Sequence, residues 1–173
     1  ATQVMAAYNA DHGTNFGISV NVSALNLNSD LIVAAVDQAL AQSGLPPDRL
    51  TLEVTETAMI RNRGNAAEIL RRLSRKGVRI SVDDFGAGHA SLIYVRTLEP
   101  DELKIDQSLV RDIETSAEAR LILDRMIGLG LGLGIEVVVE GIETEGQRKI
   151  VADMGATFGQ GYVWGRPQPA EIA

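Results

Sequence analysis

Short runs rich in β-branched residues recur along this chain, each separated from the next by a stretch with helical spacing. They are Ile18-Ser19-Val20-Asn21-Val22, Leu50-Thr51-Leu52-Glu53-Val54, Val78-Arg79-Ile80-Ser81-Val82, Glu102-Leu103-Lys104-Ile105 and Ile135-Glu136-Val137-Val138-Val139, with a sixth near 157–161. Strand and helix alternating at this interval predict a parallel sheet covered by helices. The commonest closed form of that pattern is the (β/α)8 barrel, which takes ~200 residues or more. With 173 residues and six strands, the spacing predicts an α/β, TIM-like (β/α)8 barrel that is incomplete here. The missing first strand/helix unit is expected at the front, because the helical first 13 residues lead straight into a strand.

The helices carry their own start and stop signals. Ser29 is placed to cap one whose apolar face is Ile32, Val36 and Leu40, with Gly44, Pro46 and Pro47 ending it. Asn65 is placed to cap the next, with Ile69, Leu70 and Leu73 inward; Arg71, Arg72, Arg75 and Lys76 crowd its last turns, where the helix dipole favours cations, before Gly77. A third is expected over about 115–128, built on Leu123, Met126 and Ile127, and Thr144-Glu145-Gly146-Gln147 is a capping box opening a fourth that closes at Gly155. Gly128-Leu129-Gly130-Leu131-Gly132-Leu133-Gly134 does not fit a dinucleotide loop, since it precedes a strand; it reads as a helix-to-strand turn.

Composition narrows the functional classes. The absence of cysteine excludes a disulfide framework and any thiolate metal or redox site, and fits a cytoplasmic setting. No stretch approaches the roughly 20 apolar residues of a membrane span, so no membrane contact by this domain is expected. A net charge of −7 argues against coating duplex nucleic acid. It does not argue against a single nucleotide-sized anion, because bound metal can reverse the local sign.

Polar residues in the strands fall at their C-terminal ends. Asn21 ends the first run, Glu53 lies in the second, Asp83-Asp84 follow the third, Lys104 sits in the fourth, Glu140 ends the fifth and Gln160 belongs to the sixth. In a parallel barrel these positions share one rim, where catalytic groups gather. Several carboxylates on one rim repel each other unless cations lie between them. Oxygen donors without His or Cys select hard ions, Mg²⁺ or Mn²⁺, and adjacent aspartates suit two of them. Singly, each residue has a plainer reading: a strand-end Glu as an N-cap or surface charge, Asp-Asp-Phe-Gly as a turn, Lys104 as the partner of Asp106 or Glu102. Their common position on successive strands favours the metal site.

These residues closely resemble the EAL domains of bacterial cyclic-di-GMP signalling, over essentially the whole chain. The resemblance rests on Val20-Asn21-Val22-Ser23, Leu52-Glu53-Val54-Thr55-Glu56-Thr57, Asp83-Asp84-Phe85-Gly86-Ala87-Gly88, Leu103-Lys104-Ile105-Asp106, Val139-Glu140-Gly141-Ile142-Glu143-Thr144, and Gln160-Gly161-Tyr162 with Gly165-Arg166-Pro167. It implies that residues 1–173 are the C-terminal three quarters or so of an EAL domain that hydrolyses cyclic di-GMP to linear pGpG with two Mg²⁺ or Mn²⁺ ions. By the same resemblance Asn21, Glu53 and Asp83 hold one ion, while Asp83, Asp84 and Glu140 hold the other. Lys104 would hydrogen-bond the attacking water, Gln160 and Asp106 would contact the nucleotide, and Glu56 would brace the loop at 84–91. A sensor or GGDEF-type domain is a family companion to be expected in a parent chain.

The departures from the family are specific. The Glu-Ala-Leu motif, which supplies a metal ligand, does not occur in this stretch. In the loop, Ala87 stands where Thr is usual, His89 where an aromatic is usual and Ala90 where Ser is usual. His89 and His12 read as surface residues without a role. The retained motifs favour an enzyme; the departures favour a non-catalytic module that binds cyclic di-GMP or docks a partner. The absent first strand also predicts a homo-oligomer, since it would bare strand edges and apolar side chains of the barrel interior.

Overall fold

The computed structural model describes residues 1–55, 58, 65–87, 95 and 98–168, without the side chains of Asn28 and Asn65. The chain divides into two compact units, Ala1–Glu102 and Leu103–Ala173.

In the first unit, α1 (Thr2–His12) ends at Gly13, whose φ of 62° only glycine adopts freely. It leads into β1 (Ile18–Asn21), α2 (Leu31–Ser43), β2 (Leu50–Thr55), α3 (Asn65–Ser74) and β3 (Arg79–Phe85). β2 pairs in parallel with β1 on one side and β3 on the other. The signals read in the sequence mostly hold. Ser29 Oγ accepts from the Leu31 N–H at 3.2 Å, and Gly44 closes α2. Ile69, Leu70 and Leu73 of α3 are buried, whereas the Asn65 capping expectation concerns a side chain outside those described. The basic run has more specific partners than a helix dipole: Arg72 pairs with Asp30, and Lys76 with Asp37 at 2.8 Å, joining α3 to the α2 region.

The two faces of this sheet differ in chemistry. Side chains alternate along a strand, so Leu50, Leu52, Val54, Ile80 and Val82 share the face packed against the helices, all at most 2 % exposed. The other face carries Ser19, Asn21, Thr51, Glu53, Thr55, Arg79, Ser81 and Asp83. The expectation of an apolar interior is therefore corrected for this unit. The face that bears the candidate ligands is polar along all three strands, because carboxylates need neighbouring hydrogen-bonding groups rather than hydrocarbon.

The second unit takes in β4 (Glu102–Ile105) from Leu103 on, then α4 (Ala117–Gly132), β5 (Glu136–Val139), α5 (Glu145–Asp153) and β6 (Phe158–Gly159), with β5 and β6 parallel. Its core gathers Ile105, Val110, Ile113, Leu123, Ile127, Val137, Val139, Ile142 and Val151. The capping box at Thr144 and Gln147 is present in full. The glycine run is corrected: Gly128, Gly130 and Gly132 lie inside α4, which ends four residues later than expected, and only Gly134 (φ 75°) makes the turn. Gly130 explains the choice of residue, because a Cβ there would stand 2.5 Å from Val137 Cγ2.

Candidate active site

The first unit supplies a row of oxygen donors. Asn21 and Glu53 are register partners on β1 and β2, and Thr55 is the partner of Asp83 on β3. Asn21, Glu53 and Asp83 therefore face the same way at the C-terminal ends of adjacent parallel strands. Glu53 is only 9 % exposed, a depth at which a carboxylate needs hydrogen bonds or a cation to offset lost hydration. Asp84 should point to the opposite face by simple alternation. Instead its φ is 57°, a left-handed conformation that Asp tolerates better than most residues. Its N–H is bonded to Asp83 Oδ1 at 3.0 Å, and an oxygen of each carboxylate lies within 4.8 Å of the other. Two adjacent carboxylates converging in this way fit a hard divalent cation.

The second unit supplies a cation and its partner. Lys104, on β4, sets its Nζ 2.7 Å from Glu140 Oε1, with side chains 7 % and 19 % exposed. Glu140 directly follows β5, and its backbone N–H is bonded to Ile105 O at 3.0 Å. Glu140 is thus a partner of Lys104 that the sequence reading, with Asp106 or Glu102, did not offer. Gln160 follows β6 and is tied by its N–H to Val139 O and by its carbonyl to the Ile142 N–H. That approach needs Gly161, where a Cβ would stand 2.1 Å from Ile142 O. Glu140 and Gln160 line an open pocket of about 220 Å³ with Gln107, Gly141, Glu143, Gly161 and Tyr162.

The remaining expected residues fare differently. Asp106 lies outside that lining; its Oδ1 accepts from the Ser108 N–H at 2.9 Å, capping the short 3₁₀ turn Gln107–Leu109. Glu56 lies outside the described residues, as do His89 and Ala90 of the loop. His12 is exposed and stacks on Tyr8 with ring centroids 4.2 Å apart. Sequence reasoning missed Gln107 as a pocket wall and the polar face as a whole. The signal for the latter was the period of two running back from Glu53 and Asp83 to Thr51, Ser81 and Arg79.

An α/β chain with parallel strands ending in carboxylates and a lysine defines a class, and comparison makes the class specific. The model of the EAL domain matches residues 1–167, and the chain belongs to that family. The bifunctional diguanylate cyclase/cyclic di-GMP phosphodiesterase MucR of Pseudomonas aeruginosa is 39% identical over 157 residues, 91% of this chain and 23% of that protein. The cyclic di-GMP phosphodiesterase NbdA of the same organism is 40% identical over 152 residues, 88% of this chain and 19% of its own length. The chain thus spans about a quarter or less of these curated relatives. Among solved structures, the MucR phosphodiesterase in complex with c-di-GMP superposes with a TM-score of 0.91 at 37% identity, covering 99% of this chain and 69% of that one. The EAL domain of Mycobacterium smegmatis DcpA gives 0.90 at 30% identity over 96% and 75%. Klebsiella pneumoniae BlrP1, in a manganese/cy-diGMP complex, gives 0.86 at 30% identity over 96% and 42%. The barrel expected from the sequence is the fold these neighbours share. No helix among the described residues is long and apolar enough to cross a membrane.

Proposed function

We propose that this domain hydrolyses cyclic di-GMP to linear pGpG using two divalent ions, Mg²⁺ or Mn²⁺. The observation that carries the reading is the row of oxygen donors Asn21, Glu53 and Asp83 on one face at parallel strand ends, with the Asp84 carboxylate within 4.8 Å of that of Asp83. Kinship with proteins named as cyclic di-GMP phosphodiesterases, and with a manganese/cy-diGMP complex, supports the substrate and the ions. Asn21, Glu53 and Asp83 would hold one ion, and Asp83, Asp84 and Glu140 would hold the other. Bound there, the ions would lower the pKa of water and stabilise charge on the leaving oxygen of an in-line displacement.

The chain's own residues complete the chemistry. The Lys104 ammonium donates to the attacking water and offsets phosphate charge; Glu140 orients it through the 2.7 Å pair. Gln160 offers a carboxamide to the nucleotide from the wall of the pocket, and Asp106 holds the turn beside it. Glu56 braces the loop that follows Asp84. A sensor or GGDEF-type domain in the parent protein would set when this site works.

Thermal melting tests the metal reading. Mg²⁺ or Mn²⁺ should raise the melting temperature, since a ligand of the native state stabilises it, and Asp83→Asn should lose most of that shift. A full shift in Asp83→Asn would remove Asp83 from the site.

A further inference from the structure

α5 carries a glycine in its first turn, Gly146, at a position where the backbone does not call for one. Its φ is not among the positive values that favour glycine, and inside a helix glycine is less favourable than alanine. Space is what requires it. A Cβ there would stand 2.8 Å from Glu114 Cδ and closer still to Oε1. The Glu114 carboxylate thus lies against the first turn of α5, and its Oε2 accepts from Thr144 Oγ1 at 2.9 Å. Glu114 is anchored from behind as well: Arg120 of α4 donates to the carbonyls of Ile113 and Glu114, and Ile113 is buried in the core.

Two segments meet at this contact, and each supplies a wall of the pocket in the candidate site. One runs from Gln107 to Glu114 after β4, the other from Glu140 to Thr144 after β5. They touch at the inner end too, where a Cβ on Gly141 would stand 3.1 Å from Gln107 Cα. Between the two ends, buried Gln147 donates to Val110 O at 3.4 Å and accepts from the N–H groups of Glu143 and Thr144. We infer that Glu114 is a positioning residue of the pocket: its carboxylate clamps the wall of Glu140, Gly141 and Glu143 against the wall of Gln107, and so sets the width that a nucleotide meets. Glu114 lies outside the lining and acts through Thr144 and the loop before it. A wall fixed before binding has less freedom to lose when the ligand arrives. The inference rests on the nucleotide reading given under Proposed function.

The test follows melting temperature through a cyclic di-GMP titration in saturating Mn²⁺. It compares the wild-type chain with Glu114→Ala, Glu114→Gln, Gly146→Ala and the double variant Glu114→Ala/Gly146→Ala. The nucleotide concentration giving half of the stabilisation should rise about fivefold in Glu114→Ala, the worth of roughly one hydrogen bond. Glu114→Gln keeps an accepting oxygen for Thr144 and should titrate close to wild type. Gly146→Ala should match Glu114→Ala, because its methyl group displaces the carboxylate, the free end of a flexible side chain. In the double variant that methyl group meets no carboxylate, so no further rise is expected. An unchanged nucleotide midpoint in Glu114→Ala overturns the inference, and a lowered ligand-free melting temperature beside it gives the carboxylate a purely structural role. Additive rises in the double variant also overturn it, because the two residues would then act separately. A wild-type chain that Mn²⁺ stabilises but cyclic di-GMP does not rejects the nucleotide reading itself, and this inference with it.

Discussion

Asp84 holds a backbone conformation that most residues avoid, and its neighbours show what that accomplishes. A φ of 57° turns its carboxylate toward that of Asp83 rather than to the opposite face of the sheet. Strain of this kind is typically offset elsewhere in the structure and marks positions held for function. Asp84→Gly, which adopts that φ freely, should stabilise the metal-free domain by up to about 1 kcal/mol in urea unfolding. The same variant should lose turnover. Lys104 presents the reverse case. Replacing it with Met leaves Glu140 without its ammonium, which should cost about 2–5 kcal/mol in the same assay along with nearly all activity. The donor types were legible from residue identity and position: Asn21, Glu53, Asp83, Asp84, Lys104, Glu140 and Gln160 all stand at or beside strand ends, as expected. The Lys104–Glu140 pair was not, because the partners lie on different strands and no local spacing encodes which carboxylate comes nearest.

At the scale of the element, α4 shows that glycine need not mean a turn. Gly128, Gly130 and Gly132 follow one another at intervals of two residues, so their directions fan around the helix, and only Gly130 faces β5. There a Cβ would press on Val137, whereas nothing lies within 4 Å of one at Gly128 or Gly132. Gly128→Ala and Gly132→Ala should therefore each stabilise the domain by about 0.5–1 kcal/mol, the usual propensity gain. Gly130→Ala gains the same propensity but overpacks the core, a cost of about 1–3 kcal/mol, so its midpoint in urea should fall. If all three behaved alike, the packing account of the run would fail. The low helix propensity of glycine hid this segment, and tertiary contact with Val137 overrode it. Ser29, Gly44, Thr144 and Gln147 acted as expected because capping depends on backbone geometry within a few residues.

At the scale of the molecule, the polar face is what relates the sheet to its chemistry. Parallel strands usually read as continuous apolar runs, yet β2 and β3 alternate, and their polar side ends in Glu53 and Asp83. The alternation was present in the sequence; which face it turned toward was fixed only by the strand register. One of two arguments for assembly rested on bared apolar side chains, and in the first unit the polar face removes it. The other is the unpaired side of β1, which in its unit bonds only to β2 among the described residues. On that ground a dimer or larger species remains the expectation at low micromolar concentration in light scattering, and a stable monomer would count against it. Product chromatography measures the proposed metal-dependent cleavage of cyclic di-GMP. With the family's Glu-Ala-Leu strand supplied ahead of Ala1, linear pGpG should accumulate in Mn²⁺ or Mg²⁺, cease with EDTA, and nearly vanish in Glu53→Gln. Tight, metal-dependent binding of cyclic di-GMP with no linear product in the completed domain would contradict the account and leave a binding module in its place.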